Sequence, residues 1–538
     1  NIMPNDSITV VINYVQHLQY ENQEFTYRLP LAITPRYSKS PSSINANNAT
    51  DPISSVINDA EKINPYYLDE TMDFSNNVTI NANLTSGFKI ENIKSSHKII
   101  SKKINESITG IRLKNNKIQA NQDFTLSYTI PIMDTPQISV FSTKRSEEDY
   151  YMIMAMGPNN INNNQHIPKE ITFVIDKSGS MKGNNIEYAK ISVIQALNNL
   201  NSNDSFNVIA FSDHFIKYNY KPVQANEKNI ELATKFINNI TSDGGTEALE
   251  ALEWAMLEDH DDTKIKMIIF LTDGAVGYEK DVFQLIDENN INDARIFPIC
   301  IGYAPNSFLL EKVAEMTRGS YTYIKNHGEI TKKLTTLFNK IENPVLSNIN
   351  INFGKESDYY PKPIKDLYFN EPLIVFCKAN SSFNEITVEG ETSNGEFKKI
   401  FNLNNIKINE NSAIPILWAR KKIASLMDEY RFSRDTTVTN NIKKEVVNIS
   451  TDYNIISKFT SFIAIESERV NKKGYLLSTN IGSQHPKNWK KNTPKKPENL
   501  NHSNYMPQTA TNNPLYLIIG ICLLFVSFFI RRYNEKYI

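Results

Sequence analysis

Cysteine is scarce. The 538 residues hold three, Cys300, Cys377 and Cys522, far apart and without a CxxC pair, which argues against a disulfide framework and against a thiolate zinc site. A charge excess of either sign is also missing. Lys+Arg number 58 and Asp+Glu 59, a formal net charge of −1, so no basic surface for nucleic acid is implied. The eight histidines are scattered, with no HExxH. Neither a GxSxG elbow nor a Gly-rich loop ending in Lys-Ser/Thr is present. The zinc-protease, serine-hydrolase and phosphate-cradle readings therefore have no motif to stand on. The N-terminal stretch "NIMPNDSITVVINYVQ" has no initiator Met and no basic, apolar and small-residue succession of a signal peptide.

What the chain does have is length and apolar content. At 538 residues and 40% hydrophobic, it has material for three or more packed domains. From 1 to about 160 the signals are strand-like: "SITVVINYVQ" alternates, and "FTYRLPLAI", "DFTLSYTIPI" and "YYMIMAMGP" follow. The Asn-rich "NNINNNQHIPK" reads as a linker. From 168 to 342, continuous apolar runs ("EITFVID", "SFNVIAFS", "KIKMIIFLTDG", "ARIFPICIG") alternate with helical patterns at 185–200, 226–240, 246–258, 280–290, 307–317 and 328–341. That alternation predicts an α/β doubly wound, mostly parallel sheet covered on both faces. Strand signals return from 343 to about 408. "AIPILWARKKIASLMDEY" and "NNIKKEVVNISTDYNI" then read as helices, making 343–467 an α+β region. Residues 468–513, rich in Lys, Pro and Asn, read as a flexible tether.

One cluster carries chemistry. "FVIDKSGSM" ends a strand with Asp176 and follows it with Ser178 and Ser180. "SDGGTEAL" sets Thr246 just before a helix, and "FLTDG" sets Asp273 at another strand end. In a parallel α/β sheet, ligands bind outside the carboxyl ends of the strands. Two carboxylates and three hydroxyls gathered there suit a hard cation such as Mg²⁺, which takes oxygen ligands and keeps some of its waters. An EF-hand reading of "DKSGSMKGNNIE" fails because Met181 stands where Gly is required and a strand precedes the loop. His214 and His260, which could lie close to the cluster in space, read as surface residues.

These motifs resemble the metal-ion-dependent adhesion site of von Willebrand factor A domains. The resemblance implies that Ser178, Ser180 and Thr246 bind Mg²⁺ (or Mn²⁺ or Ca²⁺) directly. Asp176 and Asp273 would then orient waters or touch the ion, and an open position would receive a carboxylate from a protein partner. "VINYVQHLQYENQEFTYRLPLAITPRY" resembles the last strands of a vault/inter-alpha-trypsin (VIT) domain. "LWARKKIASLMDE" and "ISKFTSFIAIE" resemble segments that follow the A domain in inter-alpha-trypsin inhibitor heavy chains and their bacterial relatives. The expected organisation is a partial VIT-like β region at 1–160, the A domain at 168–342, the heavy-chain-type region at 343–467 and the tether at 468–513. A chain that opens within the VIT-like region is expected to be N-terminally incomplete.

The C-terminus suggests anchoring. Leu515–Ile530 is an uncharged apolar run of 16 residues, followed by Arg531 and Arg532. This is near the lower limit of about 17 for a membrane span, with basic residues placed as on a cytoplasmic side. It is read as a transmembrane segment at 514–531 with a cytoplasmic tail at 532–538, rather than as a buried helix. Just before it, Met506, Pro507, Gln508, Thr509 and Ala510 are similar to a sortase sorting signal; a plain membrane anchor is the alternative. The expectation is a non-enzymatic, envelope-anchored surface protein with its bulk outside the cytoplasm. Its expected partners are an extracellular protein or matrix ligand, the membrane and a sortase, and no nucleic acid. A scaffold with a purely structural metal, or a metal-dependent hydrolase, is the alternative function.

Overall fold

The structure, a computed structural model, describes residues 9–33 except 22, residues 77–131, 135–158 and 167–463 apart from breaks of one to seven residues, the pairs 43–44 and 67–68, and residues 486–487. The sorting-like motif, the apolar C-terminal run and nearly all of the tether lie outside the described residues. Among the described residues no helix is long and apolar enough to cross a membrane.

Every position of β1 (Lys169–Asp176), β2 (Ser205–Phe211), β5 (Ile265–Thr272) and β6 (Arg295–Ile301) is buried, as strands covered on both faces must be. With β7 (Thr322–Ile324) they form the parallel part of a sheet. The short strands β3 (Phe215–Lys217) and β4 (Val223–Gln224) pair antiparallel with β2 at one side. The order is β3–β2–β1–β5–β6–β7, with β4 also on β2. Helices α1 (Asn184–Asn198), α2 (Glu227–Asn238) and α6 (His327–Glu342) cover the face from which Phe173, Ile175 and Leu271 project. Helices α3 (Ala248–Leu257), α4 (Glu279–Asn289) and α5 (Ser307–Met316) cover the other, against Val174, Ile209 and Phe270.

The chain leaves β1 toward β2 on one side, whereas β5 leads to β6 on the other. The topological switch point, where such sheets open a crevice, therefore falls between β1 and β5. Register puts Asp176 level with Phe211 and Ile175 level with Leu271, so Asp176 and Asp273 flank that crevice.

The segments on either side of this domain share one β-sandwich, although the sequence reading separates 1–160 from 343–467. The hairpin Gln137–Arg145/Glu148–Met156 pairs with Pro372–Ala379, Met156 opposite Pro372. A second sheet runs Leu367–Tyr368, Pro344–Asn352, Glu385–Thr392, Gly395–Asn402. Ile138 and Ile153 pack with Ile351, Val375 and Ile386 in a common core. A Cβ at Gly157 would come within 3.1 Å of Val345 Cγ2, so the exit toward the α/β domain and the return from it lie side by side. The α/β domain is thus an insertion within the sandwich. Helices α7 (Ala413–Phe432) and α8 (Thr436–Asp452) follow; Trp418 packs against Tyr150 and Tyr453.

Of the stretch 7–16, read as an alternating strand, residues 9–16 are described and form none. Val10, Val11 and Ile12 are 72–77% exposed, and no described strand pairs with them. Cys300 and Cys377 are buried thiols, and burial pushes Cys300 up to about 12, as for packing residues rather than nucleophiles.

Candidate metal centre

Asp176 closes β1 and is fully buried. Its Oδ1 accepts the Ser178 backbone N–H at 2.9 Å, and its Oδ2 accepts the Thr272 hydroxyl at 2.8 Å. Burial pushes its carboxyl above the ordinary aspartate range, the Ser178 and Thr272 hydrogen bonds oppose this, and the neighbouring Asp273 charge adds to the rise. A buried acid pushed in that direction is one that a nearby cation would stabilise in its ionised form.

The backbone turns away directly after Asp176. Gly179–Met181 form a single 3-10 turn, which brings the Ser178 and Ser180 hydroxyls to 3.0 Å from one another. Two ligands at right angles on a Mg²⁺, each at about 2.1 Å, lie about 3.0 Å apart. The hydroxyl pair therefore has the spacing of adjacent octahedral vertices. Ser178 is buried and Ser180 exposed, so the pair faces from protein toward solvent.

Three loops meet here. Gly179 donates its N–H to the Gly244 carbonyl at 3.0 Å, and Asp243 donates to the Lys177 carbonyl at 2.8 Å. These bonds fasten the loop carrying Thr246 to the loop carrying Ser178. Gly244 has φ +70°, and a Cβ there would meet the Asp213 carboxylate at 2.3 Å, so this close approach requires glycine. Gly245 donates to Asp213 Oδ1 at 2.7 Å, and Glu247 to the Ser212 carbonyl at 2.7 Å. Thr246 is half-buried one step before the Glu247 cap of α3. Asp273, half-buried, directly follows the Thr272 that binds Asp176. All five sequence-predicted residues thus sit at the carboxyl-end rim flanking the β1/β5 switch point. The donor set is all hard oxygen and fits a divalent cation of the Mg²⁺ class. Among the described residues no three His, Cys, Asp or Glu side chains cluster as a metal cage; the oxygens of the five rim residues are mostly hydroxyls.

Sequence reasoning missed Thr272, Ser212 and Lys177. Thr272 stands inside the quoted "FLTDG", where no motif marks its hydroxyl. His260 is not a surface residue: its ring pairs with buried Glu170 at 3.0 Å, at the opposite end of the sheet from the rim. His214 is exposed on the loop after β2, beside Ser212.

Residues 169–323 match the family described as von Willebrand factor type A domain. A von Willebrand factor A domain-containing protein of Dictyostelium discoideum is 27% identical over 316 residues, covering 56% of this chain and 34% of that protein. Inter alpha-trypsin inhibitor, heavy chain 4 of Mus musculus is 25% identical over 379 residues, 65% of this chain and 39% of its own length. The chain spans about a third of the length of three of the Dictyostelium relatives it matches. Among solved structures, a von Willebrand factor type A protein from Catenulispora acidiphila superposes with a TM-score of 0.44 at 13% identity, covering 60% of this chain and 87% of that one.

Proposed function

We propose, taking residues 169–323 as a von Willebrand factor type A domain, that this chain is a surface-displayed binding module. It captures a protein or matrix partner through a divalent cation held by Asp176, Ser178, Ser180, Thr246 and Asp273. The observation that carries the reading is the 3.0 Å spacing of the Ser178 and Ser180 hydroxyls beside a buried Asp176 carboxylate.

Ser178, Ser180 and Thr246 offer neutral oxygens to Mg²⁺ or Mn²⁺. Asp176 is held in place by the Ser178 amide and the Thr272 hydroxyl, and Asp273 sets the charge on the far side of the crevice. A bound cation with mainly neutral direct ligands supplies an electrophilic position that a partner's carboxylate can complete. The chain's own part is to orient these oxygens, not to carry out a reaction, and the reading is non-enzymatic.

Display at a membrane is supported by the apolar run at 515–530 and by Arg531 and Arg532 after it. "MPQTA" ahead of the run makes it a substrate for a sortase-like transpeptidase cutting after Thr509. Mass spectrometry of the C-terminal peptide from the native envelope tests this: a peptide ending at Thr509 with an added amine supports sorting, and one running on to Ile538 leaves a plain anchor.

Binding of the partner is tested with and without chelator. It should vanish on chelation and return with Mg²⁺ or Mn²⁺. Equal binding in chelator would leave the metal a structural role only.

A further inference from the structure

Lys177 occupies the first intervening position of the Asp-x-Ser-x-Ser stretch, and its side chain is only 5% exposed. An ammonium on the loop that presents Ser178 would repel a cation if it pointed at the rim. Instead it runs beneath the loops. Its Nζ donates to Ser212 Oγ at 2.8 Å and pairs with Asp243 Oδ1, and Ser212 Oγ itself donates to the same Asp243 oxygen at 3.0 Å. The Asp243 carboxyl is held below its usual range, first by the Lys177 hydrogen bond and then by Ser212.

The backbone of Lys177 is engaged at both ends. Its N–H donates to the Phe211 carbonyl at 2.8 Å, extending the β1–β2 pairing, and its carbonyl accepts from Asp243 N at 2.8 Å. One residue therefore ties the loop after β1 to the loop after β2, through Phe211 and Ser212. The same residue ties it to the loop before α3, through Asp243. The second tie fixes the segment that leads through Gly244 and Gly245 to Thr246.

We propose that Lys177 is a positioning residue of the cation site. Its ammonium, neutralised by Asp243, assembles the rim before any cation arrives, holding Thr246 in reach of the Ser178–Ser180 pair. This rests on the cation-site reading above. It predicts that a lysine, although of the wrong charge for a cation site, strengthens cation binding by preorganising the oxygens. Partners that orient metal ligands typically cost 10–100-fold in affinity when removed.

Two variants test it in the full chain, Lys177→Met and Asp243→Ala. Asp243 has a 58% exposed side chain, so its truncation leaves the core filled even if Lys177→Met folds poorly. In cation-free protein, amide hydrogen exchange at Gly179, Asp243 and Glu247 should quicken in both variants, while amides of β1 and β5 keep their protection. In titration calorimetry with Mn²⁺, both variants should bind about tenfold more weakly, and Lys177→Arg should recover part of the loss. Mn²⁺ binding by Lys177→Met as tight as wild type or tighter would make the ammonium a mere repulsive charge and overturn the proposal. Unchanged loop exchange in both variants would overturn it too. A wild-type chain that takes no Mn²⁺ would sink the cation-site reading instead, and exchange in cation-free protein would still decide whether Lys177 holds the loops.

Discussion

At the amino end of the central strands, Glu170 and Glu258 are enclosed by protein partners; at the carboxyl end, buried Asp176 adjoins a rim open to solvent through Ser180. Glu170 meets the His260 ring at 3.0 Å. Glu258 accepts from the Thr172 hydroxyl and, at 3.0 Å, from Asn207 Nδ2, while buried Lys266 donates to the Met256 and Glu258 carbonyls. The Glu258 carboxyl is pushed up to about 7 by burial, against the pull of Thr172, Asn207 and the Lys266 charge. Asp176 accepts its two hydrogen bonds, from the Ser178 amide and the Thr272 hydroxyl, and has the Asp273 charge nearby; the Lys177 ammonium at this end is engaged with Asp243 and Ser212. Both ends bury acid. One end answers it with protons and ammonium groups from the fold. The other sets it among oxygens, on which the proposed cation site rests. The first arrangement closes a domain; the second is where the proposed cation would bind.

The comparison breaks most visibly at Asp176. Asp176→Ala should remove measurable Mg²⁺ or Mn²⁺ binding in titration calorimetry while far-UV circular dichroism stays native, and Asp273→Ala should weaken it strongly. Unchanged affinity in both would dissolve the distinction between the two ends. Thr272→Val keeps the shape and deletes the hydroxyl that orients Asp176, so cation affinity should fall about 10–100-fold, read by the same titration.

The closed end is probed by pH. Glu258 is raised from an ordinary 4.5 to about 7. Across that window the folded chain binds a proton that the unfolded chain has released. Stability therefore falls as pH rises through it, by up to about 1.4 kcal/mol per pH unit. Glu258→Gln should flatten that decline, seen as a smaller drop in melting temperature between pH 5 and 7 in saturating Mg²⁺; an identical slope in the variant would remove Glu258 as its source. The smallest effect is at Gly244. Gly244→Ala places a side chain at φ +70° against Asp213 and should cost about 1–2 kcal/mol, measured by denaturant unfolding, with the damage confined to the rim loops in hydrogen exchange.

Much of the α/β domain was legible in the sequence because fully buried parallel strands are written as unbroken apolar runs. "EITFVID" and "SFNVIAFS" became β1 and β2 with ends displaced by a residue or so. The last helix was read from 440, yet α8 begins at Thr436, because the Asp435 side chain caps it by accepting from Thr437 N. The alternation of "SITVVINYVQ", strandless over its described residues 9–16, misleads for a different reason: a period of two makes a strand only where a neighbour offers a ladder. The insertion was not legible, since the pairing of Met156 with Pro372 joins residues far apart in the chain and leaves no local pattern. The oxygen ligands announce themselves by type and spacing. Lys177, Ser212 and Asp243 do not, because their value lies in meeting one another across three loops.

The side-by-side exit and return at Gly157 and Val345 have a mechanical consequence. A pull applied at the rim leaves the α/β domain through two covalent strands at once, one into Glu148–Met156 and the other into Pro344–Asn352. These belong to the two facing sheets of one sandwich. Tension is thus divided between the sheets and borne in part by their shared core. A domain strung in series would instead transmit the whole load through a single linker.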